Sequence, residues 1–175
     1  MQTLKVALLF GWIAVFSCAQ RPVAGNDKLR WLTLAQVEDS LKVSKKPVLI
    51  DLYTGWCGWC KVMDKKTYAN KNVAAYLQQK FYPLKIDAET REVLNWRGKS
   101  YAYNADYKTN ELALALTRGQ LSYPTTVIIP VNGEPQAIPG YLTPPELELL
   151  VKYFGEGHDG KKDFGEFQRS FKASW

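Results

Sequence analysis

The chain is organised around Trp56-Cys57-Gly58-Trp59-Cys60-Lys61, which follows directly on the apolar run Val48 to Tyr53. An apolar run of that length, polar only at Asp51, reads as a buried strand, and the residues after Cys60 read as a helix. A strand that delivers two cysteines, three positions apart, to the mouth of a helix is a layout for thiol–disulfide exchange. The remaining cysteine usage supports function over structure. There are three cysteines, and Cys18 sits in an N-terminal apolar segment. A lone pair separated by two residues closes a very small loop and restrains little of the unfolded chain. A metal site is the competing reading. Zinc takes about four ligands, yet the sequence offers one histidine, His158, in the polar tract Gly155-Glu156-Gly157-His158-Asp159-Gly160. The expectation is therefore no metal and no cofactor beyond the redox-active pair.

The N-terminus reads as a targeting segment. Lys5 supplies a positive start, Val6 to Phe16 is an apolar core too short to span a bilayer comfortably, and Ser17-Cys18-Ala19 places small residues before a cut at Gln20. Cys18 offers a second reading as the lipid-bearing cysteine of a lipoprotein, against which Phe16 is bulky; a retained membrane anchor is a third. The expected organisation is a signal peptide over 1–19, one domain over 20–154 and a C-terminal extension over 155–175. An exported, periplasmic or membrane-anchored location follows. With 46% hydrophobic and 13% aromatic residues, 175 residues can bury one sizeable core. The net charge of +6 is spread along the chain with no basic block, which argues against a nucleic-acid partner.

In chain order, Thr33 and Gln36 form a capping-box pattern ahead of a helix with Leu34, Val37 and Leu41 inward, ending near Lys45-Lys46-Pro47. After the strand and the dithiol helix, Asn70 caps a segment through Gln79, and Phe81 to Ile86 forms a second strand. Residues 88–122 are the least readable. Trp96, Tyr101, Tyr103 and Tyr107 alternate with Arg97, Lys99 and Lys108, which suits either a packed loop or a recognition surface. Thr109 or Asn110 caps a short helix, Glu111 to Thr117, stopped by Gly119. Thr125 to Ile129 is a third strand, Asn132-Gly133 signals a hairpin, and Gln136 to Ile138 returns. Pro144-Pro145 opens a last helix striped by Leu147, Leu150, Val151 and Phe154. Phe164, Phe167 and Phe171 then recur at helical spacing, as an extra packed helix or as a partner contact. Strands joined through helices imply parallel pairing, with the hairpin adding an antiparallel edge. The expected class is α/β: a central mixed sheet with helices on both faces.

Val48-Leu49-Ile50-Asp51-Leu52-Tyr53, Trp56-Cys57-Gly58-Trp59-Cys60-Lys61, Tyr123-Pro124-Thr125 before an apolar strand, and Gly140 ahead of a terminal helix together resemble the thioredoxin family. They span about residues 45 to 154 in the family's order. Cys60-Lys61-Val62-Met63 and the N-terminal segment make the chain most similar to exported, periplasmic bacterial members. The resemblance implies a thioredoxin-like fold with a helical insertion before the strand that a cis-proline opens. It implies Cys57 as nucleophile, Cys60 as resolving thiol, Asp51 as a buried acid that takes the proton of Cys60, and Pro124 as the cis-proline facing the dithiol. Trp56, Trp59, Tyr123 and Thr125 would contact substrate. Trp59 departs from the proline common at its position, and residues 88–122 exceed a minimal thioredoxin. The implied function is an exported protein-disulfide oxidoreductase, reductant or isomerase more than oxidant, working on disulfide-containing proteins with a membrane-bound thiol reductase as electron donor. A metal carrier or assembly factor, or a non-catalytic binding module, are the alternatives.

Overall fold

The computed structural model describes residues 28–175. The expected signal peptide and Cys18 lie outside the described residues. Helix α1 (Leu34–Val43) starts where Thr33 accepts the Gln36 N–H while the Gln36 side chain accepts the Thr33 N–H, the reciprocal cap that the sequence predicts. Strand β1 (Val48–Tyr53) leads into α2 (Gly58–Met63), which continues through a π-helical turn, Asp64–Tyr68. Helix α3 (Lys71–Lys80) is capped by Asn70, whose side chain accepts the N–H groups of Asn72 and Val73. Then come β2 (Tyr82–Asp87), the short strands β3 (Leu94–Trp96), β4 (Lys99–Tyr101), β5 (Tyr103–Asn104) and β6 (Thr109–Asn110), and helix α4 (Glu111–Thr117). Strands β7 (Thr125–Ile129) and β8 (Gln136–Pro139) form the expected hairpin, followed by α5 (Pro144–Gly155) and α6 (Phe164–Ser170). No helix among the described residues is long and apolar enough to cross a membrane.

The central sheet has the order β2-β1-β7-β8. Strand β1 pairs parallel with β2 and antiparallel with β7. Parallel pairing throughout the helix-joined strands is thus corrected at β7. Tyr53 lies opposite Asp87, and Leu52 lies opposite Thr125. The connection between β2 and β7 therefore leaves and returns at the same edge, the dithiol end, and β7 must run back. The insertion in that connection is helical only in its second half: β3–β4 and β5–β6 are two small antiparallel pairs, and only α4 is a helix.

Period-two alternation divides β1 between two cores. Val48, Ile50 and Leu52 join Leu84, Ile86, Val127 and Ile129 on one face, under α1 and α4. Leu49 joins Ile128, Met63, Val73, Leu77, Leu147 and Val151 on the other, under α2, α3 and α5. Each fully buried aliphatic side chain contributes about 1.5–3 kcal/mol, so both faces anchor β1 firmly. Asp51 falls on the Leu49 face, directed at the helix that carries the cysteines.

Within the insertion, Trp96 is buried and packs with the α1 face of the core, while Tyr107 is exposed. Arg91, Arg97 and Lys99 lie over the rings of Tyr103, Trp96 and Tyr101. Packing thus explains most of these aromatics. The extension packs as well: Phe164 and Phe167 flank Tyr153 at 5.1 and 5.4 Å between ring centroids. Its end is held by Glu148, which is fully buried and accepts the Ser174 N–H and O–H at 2.6 Å and the Trp175 N–H at 3.0 Å.

Candidate active site

Cys57 is the cap residue of α2, and Cys60 lies one turn along it. The two are joined in a disulfide with Cα atoms 5.3 Å apart. Cys57 Sγ accepts the Cys60 backbone N–H at 3.1 Å. That donor belongs to the free N–H groups of the first turn, which favour negative charge on an atom placed there. A Cys57 thiolate inherits this stabilisation, which lowers a thiol's pKa below its free value of about 8.5. In the oxidised state both residues are buried, at 4% and 3% exposure, so exposure does not distinguish the attacking thiol and the cap position does.

Two exposed indoles frame the pair. Trp56 is 68% and Trp59 62% exposed. Trp56 is not free, however: its indole N–H donates to Glu89 Oε1 at 2.9 Å, and its ring meets Tyr123 edge-to-face at 6.1 Å. Trp59 lies 5.5 Å from the Tyr141 ring. The Tyr123–Pro124 bond is cis, as the resemblance implies. Tyr123 is half-buried, with its hydroxyl 3.4 Å from that of Thr109. Thr125, expected among the substrate contacts, follows Pro124 at the start of β7. The β1–β7–β8 register buries it, and its hydroxyl donates to Ser122 O at 2.7 Å.

Asp51 is 1% exposed beneath the dithiol helix. Its Oδ2 lies 2.9 Å from Lys85 Nζ, on the neighbouring strand at the paired register position. Burial pushes the Asp51 carboxyl above the usual carboxylate range, and Lys85 opposes that shift. The Lys85 ammonium bridges on to Asp64 of the π-helical turn and lies 4.8 Å over the Tyr53 ring. Burial alone depresses a lysine, yet Asp51 and Asp64 outweigh it and hold Lys85 above its ordinary value. The site therefore places a buried carboxyl of raised proton affinity on the sheet face that the dithiol helix covers.

Lys85, Asp64, Tyr68, Glu89 and Thr109 are site residues that sequence reasoning missed. One signal was present for Lys85: it interrupts Leu84 and Ile86 as Asp51 interrupts Ile50 and Leu52, so period-two alternation puts both on one face. The others reach the site through turns whose shape no local pattern announces. His158, the one histidine, lies 3.4 Å from Glu156 and stacks on Phe167.

The family described as a thioredoxin-like domain matches residues 34–155. A thioredoxin from Borreliella burgdorferi is 29% identical over 109 residues, which cover 62% of this chain and 74% of that one. An uncharacterized Caenorhabditis elegans protein is 30% identical over 67 residues, 38% of this chain and 9% of that protein's length. Among solved structures, a thioredoxin-fold protein from Helicobacter pylori superposes with TM-score 0.57 at 17% identity, covering 71% of this chain and 79% of the other. A candidate disulphide-isomerase from Bacteroides thetaiotaomicron gives 0.52 at 27% identity, covering 77% and 98%. With its mixed sheet, its cis-proline and a cysteine pair capping the helix after β1, the chain belongs to the thioredoxin-like family and carries in Cys57 and Cys60 the redox pair of a thiol–disulfide oxidoreductase.

Proposed function

We propose that the protein is an exported thiol–disulfide oxidoreductase that reduces or isomerises disulfides in other proteins and is recharged by a membrane-bound thiol reductase. The observation that carries this reading is the Cys57–Cys60 disulfide at the start of α2, over buried Asp51 and between two exposed tryptophans. In the reduced protein, the Cys57 thiolate attacks one sulfur of a substrate disulfide. The Cys57–substrate bond forms, the substrate S–S bond breaks, and one substrate thiolate leaves. Cys60 then passes its proton to Asp51 and attacks Cys57 Sγ. The Cys57–Cys60 bond forms and the second substrate thiolate leaves, so two electrons have moved to the substrate. Exposed indoles suit loose docking of extended polypeptide beside Cys57. Reduction or isomerisation is favoured over oxidation because Gly58-Trp59 places no acidic or histidine residue between the cysteines.

An insulin-reduction assay and refolding of a scrambled disulfide protein test the activity, with Cys57→Ser as control. Equilibration of Cys57–Cys60 against glutathione buffers tests the direction. The reading predicts catalysis that depends on Cys57 and a potential nearer thioredoxin's, about −270 mV, than the strong oxidant's, about −120 mV. Equal rates for wild type and Cys57→Ser would remove the enzymatic role, and a strongly oxidising potential would reverse the electron flow.

A further inference from the structure

Asp51 sits in a polar row that crosses three strands. Its register partners are Lys85 on β2 and Thr126 on β7. All three point to the face covered by α2 and the π-helical turn, from which Tyr68 descends. Lys85 takes Asp51 Oδ2. The other carboxylate oxygen, Asp51 Oδ1, the Tyr68 hydroxyl and the Thr126 hydroxyl are each buried without a hydrogen-bond partner among the described residues. Leaving such groups unpaired is costly, and they are rarely left so. Here the three face one another: the phenol of Tyr68 is turned toward both the Asp51 carboxyl and the Thr126 hydroxyl. Packing does not require that hydroxyl. The Tyr68 ring is fixed edge-to-face on Trp31 at 4.8 Å, a contact that phenylalanine makes equally well.

We propose that Tyr68 is the positioning residue of the Asp51 carboxyl, its O–H turning to Asp51 Oδ1 when the carboxyl is ionised and to Thr126 Oγ1 when the carboxyl holds a proton. The proposal rests on Asp51 as the proton acceptor for Cys60. In the ionised state Lys85 donates to Oδ2, Tyr68 donates to Oδ1, and Thr126 donates to the phenol oxygen. In the protonated state the Asp51 O–H donates to the phenol oxygen and Tyr68 donates to Thr126. Small side-chain adjustments close these contacts, hydroxyl rotation then switches them, and Asp51 and Tyr68 are paired in both states. Such chains polarise along their length, which strengthens each bond. Tyr68 itself does not release a proton: burial first, then the Asp51 and Asp64 charges, hold its phenol well above the ordinary tyrosine range. The groups facing Asp51 are Lys85 from β2, Asp64 and Tyr68 from the π-helical turn, Thr126 from β7 and Tyr53 on its own strand. Lys85, Asp64 and Tyr68 also line a surface groove of about 570 Å³ with Trp31 and Lys28, which gives the row a way to exchange protons with solvent.

The experiment follows the Asp51 carboxyl carbon by NMR across pH in the oxidised protein, where Cys57 and Cys60 do not titrate. Tyr68→Phe removes a donor to the ionised form, so the Asp51 midpoint rises by about one pH unit, a tenfold change in proton affinity. Thr126→Val strands the Tyr68 O–H in the protonated state, so its midpoint falls. Opposite shifts establish the toggle, since a merely structural role for Tyr68 lowers stability and leaves both midpoints in place. An unchanged midpoint in Tyr68→Phe overturns the proposal. If Tyr68→Phe does not fold, Thr126→Val decides alone, a fall supporting the toggle and no change overturning it. Mixed-disulfide decay in Asp51→Asn separates the two layers: a shifted midpoint with unaltered decay keeps the Tyr68 contact and removes the proton-acceptor role of Asp51.

Discussion

Lys85→Met isolates the electrostatics beneath the dithiol. Methionine keeps the stem that packs between Tyr53 and Trp31 and removes the ammonium. Asp51, 1% exposed, then loses the cation 2.9 Å from Oδ2. Breaking a buried pair by deleting one partner costs about 3–5 kcal/mol. The carboxyl limits that cost by taking up a proton, so about 3 kcal/mol is the expected loss where Asp51 is still ionised. Burial already holds the Asp51 carboxyl above its ordinary value of 3.8, and removing Lys85 raises it further. A raised carboxyl means that the folded state keeps a proton which the unfolded chain releases. Stability therefore falls as pH rises from the unfolded value to the folded one, then levels. The deficit of Lys85→Met should be small near pH 4 and complete near pH 8, where it lowers Tm by about 6–12 °C for a chain of this size. Adding Asp51→Asn removes the stranded charge and should restore most of the loss. Thermal unfolding by circular dichroism across that pH range reads all of this. An equal deficit at both ends of the range, or a double variant no better than Lys85→Met, would refute the coupling.

Three further outcomes follow from single contacts. Glu148 is buried, yet its bonds to Lys152, Ser174 and Trp175 outweigh that burial and hold it below the usual carboxylate range. Its stabilisation is thus present above the ordinary glutamate value and lost as pH falls through the folded one; Glu148→Gln should cost about 2 kcal/mol at neutral pH and progressively less in acid, by thermal unfolding. Asn110→Ala removes the α4 cap and two bonds from Nδ2 to the Glu92 and Tyr101 carbonyls at 3.0 and 3.2 Å. It should cost about 3 kcal/mol and speed amide exchange over residues 88–104 before the central sheet. Glu89→Ala frees the Trp56 indole, and because that bond is partly solvated it should raise KM for protein substrates on the order of threefold while kcat holds.

The fold was legible where one physical signal dominated. The run Val48–Tyr53, apolar on both faces except at Asp51, suited a strand covered on both faces, and the Thr33 and Asn70 caps set helix starts that the structure keeps. Cysteine count and spacing singled out Cys57 and Cys60 with no fold in hand. The direction of β7 was not legible, because antiparallel pairing with β1 depends on where the long connection re-enters the sheet, a non-local property. Residues 94–110 hid their two strand pairs because strands of two or three residues carry no periodicity, and Lys108 turns at positive φ without a glycine beside it. The burial of Thr125 was equally hidden, because its side chain follows the sheet register. Lys85 is the instructive miss. The alternation that marks it was visible, but one lysine in an apolar strand also fits a solvent-facing edge position. Only the parallel register of β1 with β2 makes it the partner of Asp51.

Division of labour between the two cysteines rests on Cys57 capping α2 and Cys60 lying one turn inside it. Trapping the mixed disulfide tests it most directly. Reduced Cys60→Ser, mixed with excess insulin at neutral pH, is predicted to gain the mass of one substrate chain through a bond that dithiothreitol reverses. Reduced Cys57→Ser is predicted to gain none on the same timescale. Equal adducts on both variants, or an adduct on Cys57→Ser alone, would contradict Cys57 as the attacking thiol.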